Sequence, residues 1–245
     1  MTIQAFNMAN VHASWKKCLA AALKKMDKDY LHSLQLNPNY LPGPDKIFNA
    51  FSIPVDKVNY VLFGESPYPR AISANGYAFW DAAVHELWSE TGMSKRVNRA
   101  TSLRHMMKML LVAEGLIAPT DTTQTAISQV KKQHLVHYGD EFFHNLLHKG
   151  FLLLNATPVL ANKPQQDAAA WFPFVAHVLE FLTQQRPQVT FVLFGVIARK
   201  IDQLIAHLPV KKLYAEHPYN QSFVSNQQVI DFFKPMRLLI NRSLA

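Results

Sequence analysis

Four short apolar runs, each closed by a glycine or a polar residue, constrain the fold of this chain more than any other feature. They cover residues 59–63, 150–154, 189–194 and 212–216. Apolar runs of this length, bounded by turn residues, are typical of buried strands. The sequence therefore predicts four strands for the core of the fold.

Helical patterns separate these runs. Apolar residues recur at three- and four-residue spacing in the segments 12–36, 103–114, 139–149 and 168–185. Ser102 is expected to be the N-cap of the second of them, and Gly115 is expected to end it. Strands that alternate with helices predict βαβ units. We therefore expect an α/β fold, a three-layer α/β/α sandwich around a central, mainly parallel four-stranded sheet. A single domain over residues 1–245 is predicted, with an exposed excursion at 118–138.

Polar and proline-rich segments follow three of the four predicted strands. They read GESPYPR from Gly64, NATPVLANKP from Asn155 and HPYNQS from His217. Open parallel sheets bind ligands at the carboxyl ends of their strands. We therefore expect the three turns to form one cleft.

Charge and cysteine content narrow the classes of function. Twenty-five Lys and Arg oppose 17 Asp and Glu, so the net charge is +8. This excess favours a polyanion such as nucleic acid, although a merely soluble basic protein has the same balance. The one cysteine, Cys18, excludes an internal disulfide, a cysteine-based zinc site and a four-cysteine iron–sulfur cluster. The histidines show no metal-binding pattern, no secretory signal or membrane span is predicted, and a cytoplasmic location is expected.

Two polar residues at strand ends are candidates for chemistry. The carboxamide of Asn155 offers an acceptor and a donor pair, which matches the edge of a pyrimidine base, but an Asn here can also cap a turn. His217 can stabilise a developing anion or move a proton, although one histidine among 11 often has a structural role.

The order of these motifs resembles family-one uracil-DNA glycosylases over nearly the whole chain. Gly64-Glu65-Ser66-Pro67-Tyr68 stands where the family has Gly-Gln-Asp-Pro-Tyr, and residues 75–79 stand where it has His-Gly-Leu-Ala-Phe. The Ser-Leu pair at 102–103, the Leu-Leu-Leu-Asn-Ala at 152–156 and the His-Pro at 217–218 match further family motifs.

The resemblance implies a role for each matched residue. Phe79 stacks on an extruded base, Tyr68 beside Gly64 blocks the methyl group of thymine, and Asn155 hydrogen-bonds the pyrimidine edge. His217 donates to the pyrimidine oxygen that becomes negative. The expected contacts with DNA come from Pro67, Ser102, Pro218, Gln221 and Ser222.

The sequence departs from the family pattern at positions that the family uses for catalysis and for contact with DNA. Ser66 replaces the catalytic Asp, and the neighbouring Glu65 is the candidate carboxylate for the water or the sugar cation. This Glu-then-small order resembles family-four enzymes, which use an iron–sulfur cluster, and Pro-Tyr-Pro resembles poxviral members. Gln221 replaces the Leu that wedges into DNA, for which Tyr219 or Phe223 is the alternative.

The first hypothesis is a monofunctional DNA N-glycosylase of base-excision repair that acts on DNA containing uracil or another damaged base. It needs no cofactor and no metal, because the extruded base is read on its polar edge and fixed donors stabilise the charges that develop. A catalytically weak DNA-binding module is the second hypothesis, motivated by Ser66. An unrelated α/β enzyme with a small planar ligand is the third.

Overall fold

The computed structural model describes residues 6–161 and 164–242. These residues separate into two compact units. The first comprises the chain up to Asp81, Gly150–Leu193 and Ile197–Leu213, and the second comprises Ala82–Lys149, Phe194–Val196 and the chain from Tyr214. The assignment of one domain to residues 1–245 stays a prediction.

Six strands make two sheets in the described part of the chain. The strands are β1 (Tyr60–Gly64), β2 (Trp88–Ser89), β3 (Gly92–Met93), β4 (Phe151–Asn155), β5 (Thr190–Phe194) and β6 (Lys211–Ala215). The main sheet has the order β4-β1-β5-β6, and β1 pairs in parallel with both β4 and β5. The four predicted strands lie within one residue of their expected starts and ends. The predicted α/β class with a central parallel four-stranded sheet is confirmed, and β2 and β3 form a small antiparallel hairpin that was not predicted.

Burial on both faces explains the continuous apolar runs of the central strands. All five residues of β4 are buried, as are the three middle residues of β1. A parallel strand covered on both faces cannot alternate apolar and polar residues. The polar residue Asn155 is therefore an exception within its strand, and it comes at the end where the chain turns.

Nine α-helices are found among the described residues. They are α1 (Ala13–Leu23), α2 (Lys28–Leu36), α3 (Lys95–Arg99), α4 (Thr101–Ala113), α5 (Gln124–Ser128), α6 (Gly139–His148), α7 (Pro164–Gln185), α8 (Ile197–Ile205) and α9 (Gln227–Phe233). In the first unit, Trp171 and Phe174 of α7 pack edge to face at 5.0 Å and Phe48 stacks on Phe174 at 5.7 Å. Trp15 of α1 is fully buried in the same core.

The predicted helical region at 12–36 is confirmed, and the predicted start of α4 needs correction. The N-terminal helical region is two helices, because Asp27 accepts a hydrogen bond from the Tyr30 amide at 2.7 Å and starts α2. Ser102 was expected as the N-cap of α4, but Ala100 holds that position. The short helix α3 ends at Arg99, so Ala100 is both the C-cap of α3 and the N-cap of α4. The predicted excursion at 118–138 contains α5, and the left-handed Gly115 follows α4 as expected.

In the part of the chain that the structure describes, no helix is both long enough and apolar enough to span a bilayer.

Candidate active site

The ends of β1 and β4 bring Gly64 and Asn155 side by side. The two residues are register partners in the parallel pair, and the Ala156 amide donates to the Gly64 carbonyl at 2.9 Å. A Cβ on residue 64 would collide with Asn155 Oδ1 and lie 2.9 Å from Ala78 Cβ. Because residue 64 is glycine, the Asn155 carboxamide can pack directly against the backbone of residue 64.

The carboxamide of Asn155 is buried and uncommitted. The residue is 4% exposed, and its side chain makes no hydrogen bond with any other described residue. An amide without a partner in the protein is available to hydrogen-bond a ligand that offers a complementary polar edge.

Tyr68 and Phe79 lie at the two ends of one closed loop. The Tyr68 hydroxyl donates to the Phe79 carbonyl at 3.1 Å, and Arg70 pairs with the buried Asp81 at 3.2 Å. Burial, followed by the charge of Asp81, raises the pKa of Tyr68, so the phenol stays a donor. Phe79 has a left-handed φ of 63°, which is strained for a side chain with a Cβ. The Tyr68 hydrogen bond and the Arg70–Asp81 pair stabilise the loop in which Phe79 has this unfavourable backbone conformation.

Replacing Gly64 by Ala is expected to slow any reaction that uses Asn155. The added methyl group displaces Oδ1, and overpacking of this kind costs about 1–3 kcal/mol. Both the melting temperature and ligand binding should fall. Gly115→Ala is the matched control, because its left-handed φ of 71° strains the variant while its Cβ meets nothing within 4 Å. Equal activity of the two variants at equal loss of stability would contradict this role of Gly64.

Glu65, Ser66 and Pro67 line a cleft of about 780 Å³ within the first unit, between the Gly64 loop, α7 and α8. The Glu65 carboxylate pairs with Lys200 at 3.1 Å, and its side chain is 71% exposed. An exposed pair of this kind contributes about 0–1 kcal/mol, so Lys200 does not fix the carboxylate firmly. The catalytic roles of Glu65 and Ser66, and the DNA contact of Pro67, stay predictions.

In the second unit, the orientation of the His217 ring defines its tautomer. Its Nδ1 accepts a hydrogen bond from the Tyr219 amide at 3.1 Å. The neutral ring therefore carries its proton on Nε2, which makes that nitrogen a donor. Gly195, with a φ of 67°, packs so closely that a Cβ there would lie 2.7 Å from His217 Cβ.

A second histidine, for which the sequence predicted no role in the site, supports this loop. His105 of α4 is 4% exposed, and its Nδ1 donates to the Pro218 carbonyl at 2.8 Å. Burial lowers the pKa of His105 below its ordinary value. The hydrogen bond of this ring ties the helix of Ser102 to the residue after His217, and burial disfavours the charged form of the ring.

Lowering the pH is expected to weaken the contribution of His105 to the stability of the protein. The folded state holds His105 with a pKa below the usual 6.5, so its contribution to stability is complete above that pH and is lost as the pH falls. The melting temperature should drop more between pH 7.5 and 5.5 in the wild type than in His105→Gln. The exposed His207 gives the control His207→Gln, which should keep the wild-type slope. Parallel slopes for all three proteins would show that His105 does not titrate with folding.

Three of the remaining predicted DNA-binding residues belong to the second unit. Ser102 is half-buried in the first turn of α4, and Gln221 and Ser222 are exposed in a 3₁₀ helix that starts at Gln221. The alternative that Phe223 wedges into DNA is wrong, because its ring is fully buried and packs against Phe194 at 5.1 Å.

The arrangement defines a class before any relative is considered. It is an α/β protein with three notable side chains at or after the carboxyl ends of its strands. The Asn155 amide has no hydrogen-bond partner among the described residues, and Phe79 has a strained backbone. The His217 imidazole accepts at Nδ1 and can donate from Nε2. No group of three or more metal-ligating side chains occurs among the described residues. An amide such as that of Asn155 can hydrogen-bond the polar edge of a flat ligand.

Comparison with known proteins gives the family. The uracil-DNA glycosylase of Coxiella burnetii (strain Dugway 5J108-111) is 31% identical over 182 residues, covering 73% of this chain and 67% of that protein. The enzyme of the same name from Streptococcus mutans is 27% identical, covering 84% and 83%. The crystal structure of wild-type UNG from Nitratifractor salsuginis superposes with a TM-score of 0.91, at 38% identity over 96% of this chain and 95% of that one. The chain matches no protein-family model. It belongs to the uracil-DNA glycosylase family, as the motifs predicted.

Proposed function

We propose that this chain removes uracil from DNA by hydrolysing the N-glycosidic bond of an extruded deoxyuridine. The observation that carries the proposal is the buried Asn155 carboxamide, which has no partner among the described residues and stands beside Gly64. A pyrimidine edge supplies the donor and acceptor that this amide lacks. The names of the relatives support uracil as the base.

The bond between the sugar C1′ and the base N1 breaks with its electron pair going to the base. The sugar becomes cationic, and an oxygen of water then binds C1′ and releases a proton, which neutralises the departing base anion. His217 Nε2–H donates to the pyrimidine oxygen that gains charge, because Nδ1 is held as an acceptor by the Tyr219 amide. A fixed donor of this kind stabilises the transition state more than the ground state.

The aromatic loop selects and holds the base. Phe79, fixed by its strained backbone and by the Tyr68 hydroxyl, stacks on the ring, and Tyr68 fills the space where thymine has its methyl group. Ser66 has no charge, so Glu65 is the carboxylate of this loop that can face the sugar cation or the water. Its exposed pair with Lys200 is weak and leaves the carboxylate free to move.

DNA that contains uracil is the proposed partner, and the net charge of +8 supports binding of a polyanion. The contacts of Ser102, Pro67, Pro218, Gln221 and Ser222 with DNA remain part of the proposal. A cytoplasmic location belongs to it as well, since a single buried thiol suits a reducing compartment.

Single-turnover excision from uracil-containing single- and double-stranded oligonucleotides tests the proposal. Abasic product at enzyme excess supports the proposal. The rate of Glu65→Gln in the same assay shows how much the Glu65 carboxylate contributes to excision. Binding of DNA without product at any enzyme concentration would instead identify a DNA-binding module.

A further inference from the structure

Two helices of the first unit, α7 and α8, border the cleft that Glu65 lines. The lining residues of each helix recur at helical spacing. They are Gln165, Ala168, Ala169 and Phe172 in α7, and Ile197, Lys200, Ile201 and Leu204 in α8. Side chains three, four and seven positions apart lie on one face of a helix, so a single face of each helix borders the cleft. The alanines of α7 fill little space, and the cleft of about 780 Å³ has the size of a ligand site.

The segment that follows β4 forms a fixed wall of this cleft. Thr157 lines the cleft, and its amide donates to the Glu65 carbonyl at 2.9 Å. The Ala161 amide donates to Asp167 Oδ2 at 2.8 Å, and the Tyr30 hydroxyl donates to Asp167 Oδ1 at 2.8 Å. Asp167 is 2% exposed. These hydrogen bonds fix the wall, so little conformational entropy is lost when a ligand enters the cleft.

Phe172 supplies an exposed aromatic ring to this cleft. The residue is 50% exposed and makes no ring contact with any other described residue, whereas Trp171 and Phe174 of the same helix are fully buried. An aromatic side chain can stack on a nucleic-acid base of any sequence. The ring of Phe172 is therefore available to stack on a flat ligand in the cleft.

The charges at the cleft favour a base over a phosphate. Glu65 and Lys200 are the titratable residues of its described lining, and they pair at 3.1 Å, so this lining carries no net charge. A phosphate placed there would lie beside the Glu65 carboxylate, which repels it. The side-chain amides of Gln165 and Gln203 also line the cleft, and such amides can hydrogen-bond the polar edge of a base.

The cleft adjoins the proposed uracil site. Glu65 and Ser66, which line it, follow Gly64, and Gly64 is the register partner of Asn155. Thr157, on the wall of the cleft, lies two residues after Asn155. A DNA strand whose uracil hydrogen-bonds Asn155 therefore brings its neighbouring nucleotides to this cleft.

We infer that the cleft between α7 and α8 binds an unpaired base near the uracil, stacked on Phe172, and that it thereby favours single-stranded DNA. The inference rests on the proposed function. In a duplex each base is stacked on both faces and paired along its edge, so extruding a second base costs further free energy. A single strand offers that base without unpairing.

Binding of single-stranded and duplex oligonucleotides tests the inference. Both carry 2′-fluorodeoxyuridine, which resists cleavage of the glycosidic bond. Phe172→Ala is expected to bind the single strand about 10-fold more weakly and the duplex as the wild type does. Phe172→Trp should restore the affinity, because another aromatic ring supplies the stacking surface. Ala169→Leu fills the cleft from an exposed position of α7 and should weaken single-strand binding in the same way.

A scan of the single strand locates the base that enters the cleft. Each nucleotide around the uracil is replaced in turn by a propyl spacer, which has no base. The wild type should lose about 10-fold in affinity at one position. Phe172→Ala should lose nothing further at that position, because the stacking partner is already absent. Equal losses in the two proteins at every position would overturn the inference.

Tyr138→Ala is the matched control, because it removes an aromatic residue of the second unit that is 49% exposed. It should bind both substrates as the wild type does. If Phe172→Ala melts at a lower temperature, Ala169→Leu decides in its place.

Single-turnover excision of uracil separates failure of the inference from failure of the proposed function. If the wild type excises uracil while Phe172→Ala and Ala169→Leu bind both substrates normally, the inference is overturned and the proposed function stands. Equal weakening on single strand and duplex also overturns it. If the wild type binds single strands through Phe172 without excising uracil, the inference about the cleft is supported and the proposed function is contradicted.

Discussion

Replacing Asn155 by Ala is expected to slow uracil excision by about 10²–10³-fold, the usual cost of losing one fixed hydrogen-bonding group that acts on the transition state. The loss should appear in the single-turnover rate at saturating enzyme. The melting temperature should change little, because the amide makes no hydrogen bond with any other described residue.

Asn145 provides the matched control for this variant. It is also 4% exposed, but its amide donates to the carbonyls of Leu238 and Ile240 at 2.9 and 2.8 Å. Asn145→Ala should therefore lower the melting temperature and leave excision by the folded enzyme near normal. If Asn155→Ala destabilises the protein as Asn145→Ala does and retains its rate, Asn155 is a structural residue and the proposed base pocket is wrong.

The second large effect is expected at His217. His217→Ala removes the Nε2–H donor and should also slow excision by about 10²–10³-fold. Binding of uracil-free DNA should change little, because the loop keeps its hydrogen bonds at Asn220 and Pro218. Single-turnover rates and equilibrium binding, measured on the same preparation, separate the two quantities.

The control for His217→Ala is His207→Ala, which removes an exposed imidazole that lies 3.7 Å from Glu180. It should leave the excision rate unchanged. Weakened DNA binding by His217→Ala in step with its lost rate would show that the imidazole holds the loop rather than the leaving base.

The strands were predictable because their signal is local. A run such as residues 150–154 is apolar at every position only when both faces of the strand are buried, and the turn residue after it marks its end. The same pattern located Asn155 and His217 at or just after strand ends. Boundaries of α4 were less predictable, since the short helix before it depends on Ser94, whose hydroxyl accepts from the Val97 amide.

Contacts between distant residues explain what the sequence did not reveal. His105 lies 113 positions from Pro218, and Lys200 lies 135 positions from Glu65. The local sequence around His105 or Lys200 does not indicate which residue will be its partner.

The buried cysteine has a practical consequence for studying the enzyme. Cys18 of α1 is 4% exposed, and burial raises the pKa of its thiol to about 12. A protonated, enclosed thiol reacts slowly with maleimides and iodoacetamides, because the thiolate is the nucleophile. A cysteine introduced on the surface can thus carry a fluorophore or a spin label without replacement of Cys18. Labels placed on the loops of either unit would then follow their motions on DNA in real time.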